Sequence, residues 1–344
     1  MLKLNKKLLF FLVLCVTSFC VYLLTLSRTV YWEDVGEFIT VASTLGISHP
    51  SWYPTYTLLG HFFSYLPFSE AFNINLMSAI FASLTVGLIY LVSYHFTKKH
   101  FPSICASLIS AFSYTFWKQA TFAEVYTLHL FFFVLGLFLL LIWEKRNEDK
   151  YLYGFCFIFG LSLTNHITSI LFLPAFLYLI FKNKKPSNKN YIYGTVCFIL
   201  GLLSYLYLFI RARMDPIWNW GEISNLQDLV YHISGREFFN LTKMTGFFES
   251  FSLFFSNLFI NYFWVTIIFL IIGFVGLIVE KKKKLLYFLL LLISPLLIYV
   301  LYYDPGAMAT HFLPIYIIFA IPMAYSFCFI SKKFVTKPIF NKLL

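Results

Sequence analysis

Long apolar runs alternate with short polar connections along almost the whole chain. Runs of about 18 or more apolar residues read as membrane-spanning helices. The first extends from Leu8 to about Leu26, behind the basic start MLKLNKK. Others follow at 72–96, 103–117, 125–143, 151–163, 167–181, 191–210, 257–279, 285–303 and 311–330, so the pattern predicts about ten spans. The runs 103–117, 151–163 and 167–181 are short for a hydrocarbon layer of about 30 Å; tilting, extension into polar flanks and re-entry all accommodate them. No small-x-small cleavage site follows the first run, so an uncleaved helix is expected there instead of a signal peptide. Two longer polar segments remain, 27–71 and 211–256. In the first, the pattern predicts two amphipathic helices along the membrane surface, from Glu37 to about Leu45 and from Thr55 to Leu66. Tyr56, Leu59, Phe63 and Leu66 recur there at three- and four-residue steps.

Composition agrees with an all-α integral membrane protein forming a single transmembrane domain over 1–344: 60% of residues are hydrophobic and 12% charged. The formal charge of +11 would suit nucleic acid, but the placement of the charges gives another cause. Twenty of the 26 Lys and Arg fall on alternate connections, which marks these as cytoplasmic. Both termini are then cytoplasmic, the chain is expected in the cytoplasmic (inner) membrane, and the lysines meet anionic lipid headgroups. Eleven of the fifteen acids lie on the opposite side, so the chemistry is expected on the outer face. The six cysteines sit within apolar runs without a CxxC neighbour, which indicates neither a disulfide framework nor a zinc site. No Gly-rich phosphate loop is present, which argues against an ATP-driven pump.

The densest polar cluster is Tyr31 to Tyr56, with Glu33, Asp34, Glu37 and His49-Pro50. Asp34 and Glu37 share a face if a helix starts here. They suit a capping arrangement, Asp34 at the N-cap and Glu37 three residues on. They equally suit catalysis, because a carboxylate at a low-dielectric boundary becomes a stronger base. His49-Pro50-Ser51-Trp52-Tyr53-Pro54 is a stiff turn, either an interfacial anchor or an aromatic wall with His49 as donor. Glu124, followed by Tyr126, stands at the mouth of a span, where an ionisable group faces protein or a water-filled cavity unless it merely marks the boundary. His166 lies in the polar turn Thr164-Asn165-His166. Arg211 and Arg213 follow a span on the side where arginine is scarce; one could grip a lipid phosphate, or pair with Asp215. Trp218-Asn219-Trp220-Gly221 comes next, and His311, after Asp304-Pro305-Gly306, is a further candidate.

Taken in order, these pieces resemble one family. They are Trp32-x-Asp34-x-Gly36-Glu37-Phe38; His49-Pro50 with Pro54-x-Tyr56; Asn73 and Asn75; Phe116-Trp117-x-Gln119-Ala120-x-x-Ala123-Glu124-Val125-Tyr126; Asn165-His166-x-Thr168; and Ile210-Arg211-Ala212 with Asn219-Trp220-Gly221. The set is similar to bacterial membrane proteins related to the eukaryotic transmembrane protein O-mannosyltransferase, within the GT-C glycosyltransferase superfamily. One departure is His49-Pro50-Ser51-Trp52, where the family usually has His-Pro-Pro-Gly; Trp52 replaces a small residue, which bears on specificity.

The resemblance implies a GT-C-like helix bundle that transfers a mannose-like sugar from a polyprenyl phosphate. The acceptor would be a hydroxyl on a protein or glycolipid. Asp34 matches the acid at the reaction centre and would act as general base, with inversion at the anomeric carbon. Arg211 or Arg213, with His49 or His166, would stabilise the departing phosphate. Glu37 and Glu124 would orient the acceptor or support the base, and Tyr126 and Trp220 complete the expected substrate-binding set. No metal is expected, although the paired acids leave a divalent ion open. The rival is a transporter or flippase for a lipid or lipid-linked sugar. It would place ionisable residues near the bilayer midplane in two related halves, and these spans are nearly free of charge.

Overall fold

The computed structural model describes residues 5–32, 34–50, 52–182, 186–221, 223–234, 247–302 and 310–334. Glu33, Ser51 and Asp304-Pro305-Gly306, singled out above, lie outside the described residues, as does part of the segment 211–256. The described chain is helical. In order come α1 (Lys6–Leu24), α2 (Val35–Thr44), α3 (Pro54–Ser64), α4 (Glu70–Thr97), α5 (His100–Ala111), α6 (Tyr114–Ala120), α7 (Val125–Arg146) and α8 (Asp149–Asn165). A 3-10 turn, Ile167–Phe172, leads into α9 (Leu173–Phe181), then α10 (Asn188–Leu202), α11 (Tyr205–Ala212) and α12 (Leu226–Ile233). The rest are α13 (Phe247–Asn261), α14 (Trp264–Val279), α15 (Lys283–Tyr302), α16 (Leu313–Ile318) and α17 (Ala320–Phe334).

Among the described residues, six helices are long and apolar enough to cross a membrane, the make-up of a multi-pass membrane protein: Lys6–Leu24, Glu70–Thr97, Val125–Arg146, Asn188–Ala212, Lys283–Leu301 and Leu313–Lys333. The pair Phe248–Asn261 and Trp264–Val279, bent by 110°, makes a seventh if it is one span. The remaining apolar runs take broken or shorter forms. The run 103–117 divides at Phe112-Ser113 into α5 and α6, and 151–163 lies inside α8, 17 residues long. The run 167–181 opens as the 3-10 turn, and Pro174 sits in the first turn of α9, where its missing N–H costs nothing.

Two compact units make up the chain: 1–20 with 83–117 and 244–344, and 21–82 with 118–243. In the second, α8 packs against both α7 and α10. The α8–α10 crossing brings backbone against backbone. A Cβ on Gly160 would stand 2.4 Å from the Phe198 carbonyl oxygen, and one on Gly201 2.4 Å from that of Phe157. Small residues at such a crossing let helices approach where lipid offers no hydrophobic drive.

Both surface helices form close to their expected positions, and both lean on protein. α2 buries Val35, Phe38, Ile39, Val41 and Ala42, one stripe at helical spacing. α3 starts at Pro54 and buries Tyr56 and Gly60 on the same core, which includes Ile74, Met77, Phe122, Val125 and Leu128. Burying Phe38 or Tyr56 contributes about 2 kcal/mol each. His61 ties the pair, its Nδ1 lying 2.9 Å from the Ala42 carbonyl oxygen. Two asparagines of the family pattern anchor this layer. Asn73 donates to the Leu66 carbonyl at 2.8 Å, beyond the end of α3. Asn75 donates to the Ser27 carbonyl at 2.8 Å and accepts from the Ala123 N–H at 2.7 Å.

Candidate functional site

The site grows from the end of α2. The last carbonyls of a helix lack intrahelical donors. Here Arg211 supplies them: its Nε donates to the Leu45 carbonyl at 2.7 Å and Nη2 to that of Thr44 at 3.3 Å. A cation at a helix C-terminus also meets the negative end of the helix dipole. Leu45 takes the left-handed conformation (φ 54°), and the chain turns back along α2. The Tyr207 hydroxyl donates to the Gly46 carbonyl at 2.8 Å. The Ile47 N–H donates to the Trp218 carbonyl at 2.7 Å, and the Trp220 N–H to the Ile47 carbonyl at 3.1 Å. Segment 205–220 thus clamps residues 44–47 and fixes where His49 emerges.

His49 meets Glu37. Its N–H donates to Glu37 Oε1 at 2.6 Å, and its Nδ1 lies 2.9 Å from Oε2. An ionised carboxylate only accepts, so Nδ1 carries the hydrogen and Nε2 of a neutral ring faces the Tyr53 hydroxyl, 3.2 Å away, as acceptor. The Trp220 ring stands edge-on to His49 at 6.1 Å. Asp34 occupies the N-cap position of α2, is exposed, and makes no side-chain capping bond. The side-chain cap expected of Asp34 is therefore not made, and the Glu37 carboxylate faces two donors of His49 instead. Asp34, Glu37 and His49 can each bring a ligand atom within 4.8 Å of the others. Two carboxylates and an imidazole could hold a divalent cation. Both Glu37 oxygens already face His49, however, and a cation would have to break that pair. The same three residues thus offer either a hydrogen-bonded acid–imidazole pair or, with that pair opened, the ligands of a cation.

Behind this layer lies a buried aromatic column. The Tyr53 ring is 5.9 Å from His166, Tyr126 is 5.6 Å from it, and His129 is 4.8 Å from it. The His166 Nδ1 lies 2.6 Å from Thr168 Oγ1, and the His129 Nδ1 lies 3.2 Å from Ser169 Oγ. Three hydroxyls beside the column bind α3, α8 and the start of α11: Thr55 to Thr164 at 2.6 Å, Thr55 to Ser204 at 3.0 Å and Ser204 to Thr164 at 2.7 Å. Sequence reasoning missed Tyr53 as a site residue and His129 entirely. The available signal for His129 was an imidazole five residues after Glu124 inside an otherwise apolar run.

The other expected residues take distinct places. Glu124 is buried at the N-cap position of α7, its backbone N–H 3.5 Å from Ser78 Oγ. Burial, with the negative charge of Glu124 adding to it, pushes the Tyr56 phenol well above the usual tyrosine range. Arg211 faces backbone carbonyls. Arg213 is exposed and stacks on the Phe209 ring at 3.9 Å. Among the described residues, neither arginine pairs with Asp215. His311 belongs to the other unit, its ring 6.0 Å from Tyr299. Trp52 is fully buried with Ile47, Leu208 and Ile223, at φ 46°, and its ring lies 4.5 Å from His232. The backbone there lies in the left-handed region, and Trp52 accepts that strain and packs inward. Its counterpart Gly221 has φ 94°, and a Cβ there would strike His232 at 2.3 Å.

Residues 34–190 match the family model described as the Protein O-mannosyl-transferase TMEM260 N-terminal domain. The mouse (Mus musculus) Protein O-mannosyl-transferase TMEM260 is 30% identical over 236 residues, covering 65% of this chain and 34% of that protein. The Dictyostelium discoideum Protein O-mannosyl-transferase tmem260 is 27% identical over 301 residues, covering 76% and 37%. The chain spans about a third of the length of these relatives. The family match begins at Asp34 and takes in Glu37, His49, Tyr53, Glu124, Tyr126, His129 and His166; Arg211, Arg213 and Trp220 lie beyond its end.

Proposed function

We propose that this relative of the TMEM260 protein O-mannosyl-transferases is itself a membrane glycosyltransferase whose reaction centre is Asp34. The donor in this reading is a mannose-like sugar on a polyprenyl phosphate, and the acceptor is a hydroxyl of a protein or glycolipid. The Asp34 carboxylate takes the acceptor's proton as its oxygen attacks the anomeric carbon. The bond from that carbon to the phosphate oxygen breaks, the lipid phosphate leaves with the electron pair, and the configuration inverts. One observation carries the reading: Asp34 is an exposed carboxylate beside an acid–imidazole pair held in place from two sides.

The contacts divide the labour. Glu37 is a positioning residue, since its oxygens fix His49. His49 and Trp220 border the acceptor beside Asp34. Tyr126, His166 and Glu124 support that surface through Tyr53 and Tyr56. Arg211 is engaged with carbonyls, so the phosphate falls to Arg213, an exposed residue whose guanidinium lies over the Phe209 ring. No step needs a metal. The lysine bias supports a site on the outer face of the cytoplasmic membrane. A transporter would need its ionisable groups at mid-span, whereas Asp34, Glu37 and His49 stand on α2 and the turn after it.

Transfer from polyprenyl-phosphate mannose to candidate acceptors by the purified chain tests this. Asp34→Asn should lower the rate at least about 100-fold, and the wild-type rate should persist in chelator. An unchanged rate in Asp34→Asn removes the proposed base; loss in chelator restored by a divalent ion removes the metal-free step.

A further inference from the structure

Lysines concentrate at one end of the unit formed by 1–20, 83–117 and 244–344. α4 ends at Thr97, Lys98 turns the chain at φ 58°, and α5 begins two residues later, at His100. At the same end α14 stops, Lys281 turns at φ 52°, and α15 begins. The last turn of α17 carries Lys332. Between these ends is a cavity of about 430 Å³, with Thr97, Lys99, Lys282, Tyr325, Ser331 and Lys332 in its wall.

The cavity wall carries more positive than negative charge. Lys332 is matched by Glu280, 3.0 Å from its Nζ, and Glu280 also accepts from the Tyr325 hydroxyl. Among the described residues, Lys99 and Lys282 form no ion pair. Two helices, α5 and α15, start at the cavity and add the positive ends of their dipoles. Serine and threonine hydroxyls offer further donors. The wall changes character on one side, where Phe96, Pro102 and Phe327 line it. Phe101 packs edge-on to Phe327 at 6.0 Å and is 47% exposed. A polar, cationic chamber opening beside an exposed apolar face matches a molecule with an anionic head and a hydrocarbon tail. Free phosphate would use the lysines and leave the aromatic side idle.

We propose that this cavity binds the phosphodiester headgroup of an anionic phospholipid from the lysine-rich side of the membrane, with Lys99 and Lys282 as its cationic ligands. The site lies outside the sugar-transfer centre and does not depend on that assignment.

Native mass spectrometry of the full chain, released from detergent with phosphatidylglycerol, phosphatidylcholine or inorganic phosphate, tests it. Phosphatidylglycerol should be retained at least about tenfold more tightly than phosphatidylcholine, a difference of about 1.4 kcal/mol. The double variant Lys99→Gln/Lys282→Gln should lose that preference, while Lys145→Gln/Lys150→Gln keeps it. Ser331→Trp, which fills the cavity without altering charge, should lose it too, with the melting temperature of each variant confirming a folded chain. Equal retention of the two lipids overturns the proposal, as does a preference surviving in Lys99→Gln/Lys282→Gln. Inorganic phosphate displacing the lipid at equal concentration would assign the cavity to a free anion instead and overturn it as well.

Discussion

Glu37 turns both carboxylate oxygens to His49, and this contact separates its task from that of Asp34 three residues earlier. Gln at position 37 would keep the shape and lose one acceptor, so His49 would be held by one bond instead of two. Glu37→Gln should lower kcat about tenfold with KM little changed, and Tyr53→Phe should cost less; steady-state transfer assays on both variants check this. A loss in Glu37→Gln as deep as in Asp34→Asn would make Glu37 a direct participant. Asp34, Glu37, His49 and Trp220 were visible in the sequence because charge and imidazole are scarce in so apolar a chain. The task of Arg211 was not visible. Its partners are the carbonyls of Thr44 and Leu45, and a main-chain acceptor leaves no mark on residue identity. His129 escaped notice because an apolar run surrounds it.

At the scale of elements, α2 and α3 fall within about two residues of their expected bounds, because each carries one apolar stripe and α3 begins at a proline. The breaks at Phe112-Ser113 and Tyr262-Phe263 carried no such sign, since an unbroken apolar run looks alike whether straight or bent. The link from the turn after α2 to α12 is Trp52 on His232. Trp52→Gly would relieve about 1 kcal/mol of left-handed strain and forfeit about 3–5 kcal/mol of buried packing. The variant should therefore be less stable by about 2–4 kcal/mol, read as a lower melting temperature in detergent. α12 is itself capped by Asn225 in a box completed by Asp228, whose carboxyl the Ser224 hydroxyl, the Ser224 and Asn225 N–H groups and the Asn225 side chain hold below the usual range. A lowered folded pKa means the cap contributes fully above the unfolded value and is lost as pH falls through the folded one. Hydrogen exchange of residues 226–233, corrected for intrinsic rates, should speed up over that acid interval, and Asp228→Asn should remove the step.

For the whole molecule, the lysine and acid asymmetries of the sequence lead to one prediction, that positions 32 and 283 face opposite sides of the membrane. Trp32→Cys, at a side chain 83% exposed, should react with an impermeant maleimide from outside intact cells. Lys283→Cys should react only after the membrane is opened. Reaction of both from the same side would overturn the predicted sidedness and remove the lysine-rich leaflet from the lipid proposal. Helical class was legible because apolar length alone decides it; the number of crossings was less so, because His100–Ala111 and Ile167–Phe181 are apolar without reaching full span length.

The bolts that fix the loop after α2 come from the far side of residue 190, where the family match stops. A fragment trimmed to that homology boundary would retain each acid and imidazole of the centre and still lack the frame that aims them. In evolution, too, Tyr207, Arg211 and the strand-like touch at Trp218–Trp220 would be free to drift only in step with the loop they brace.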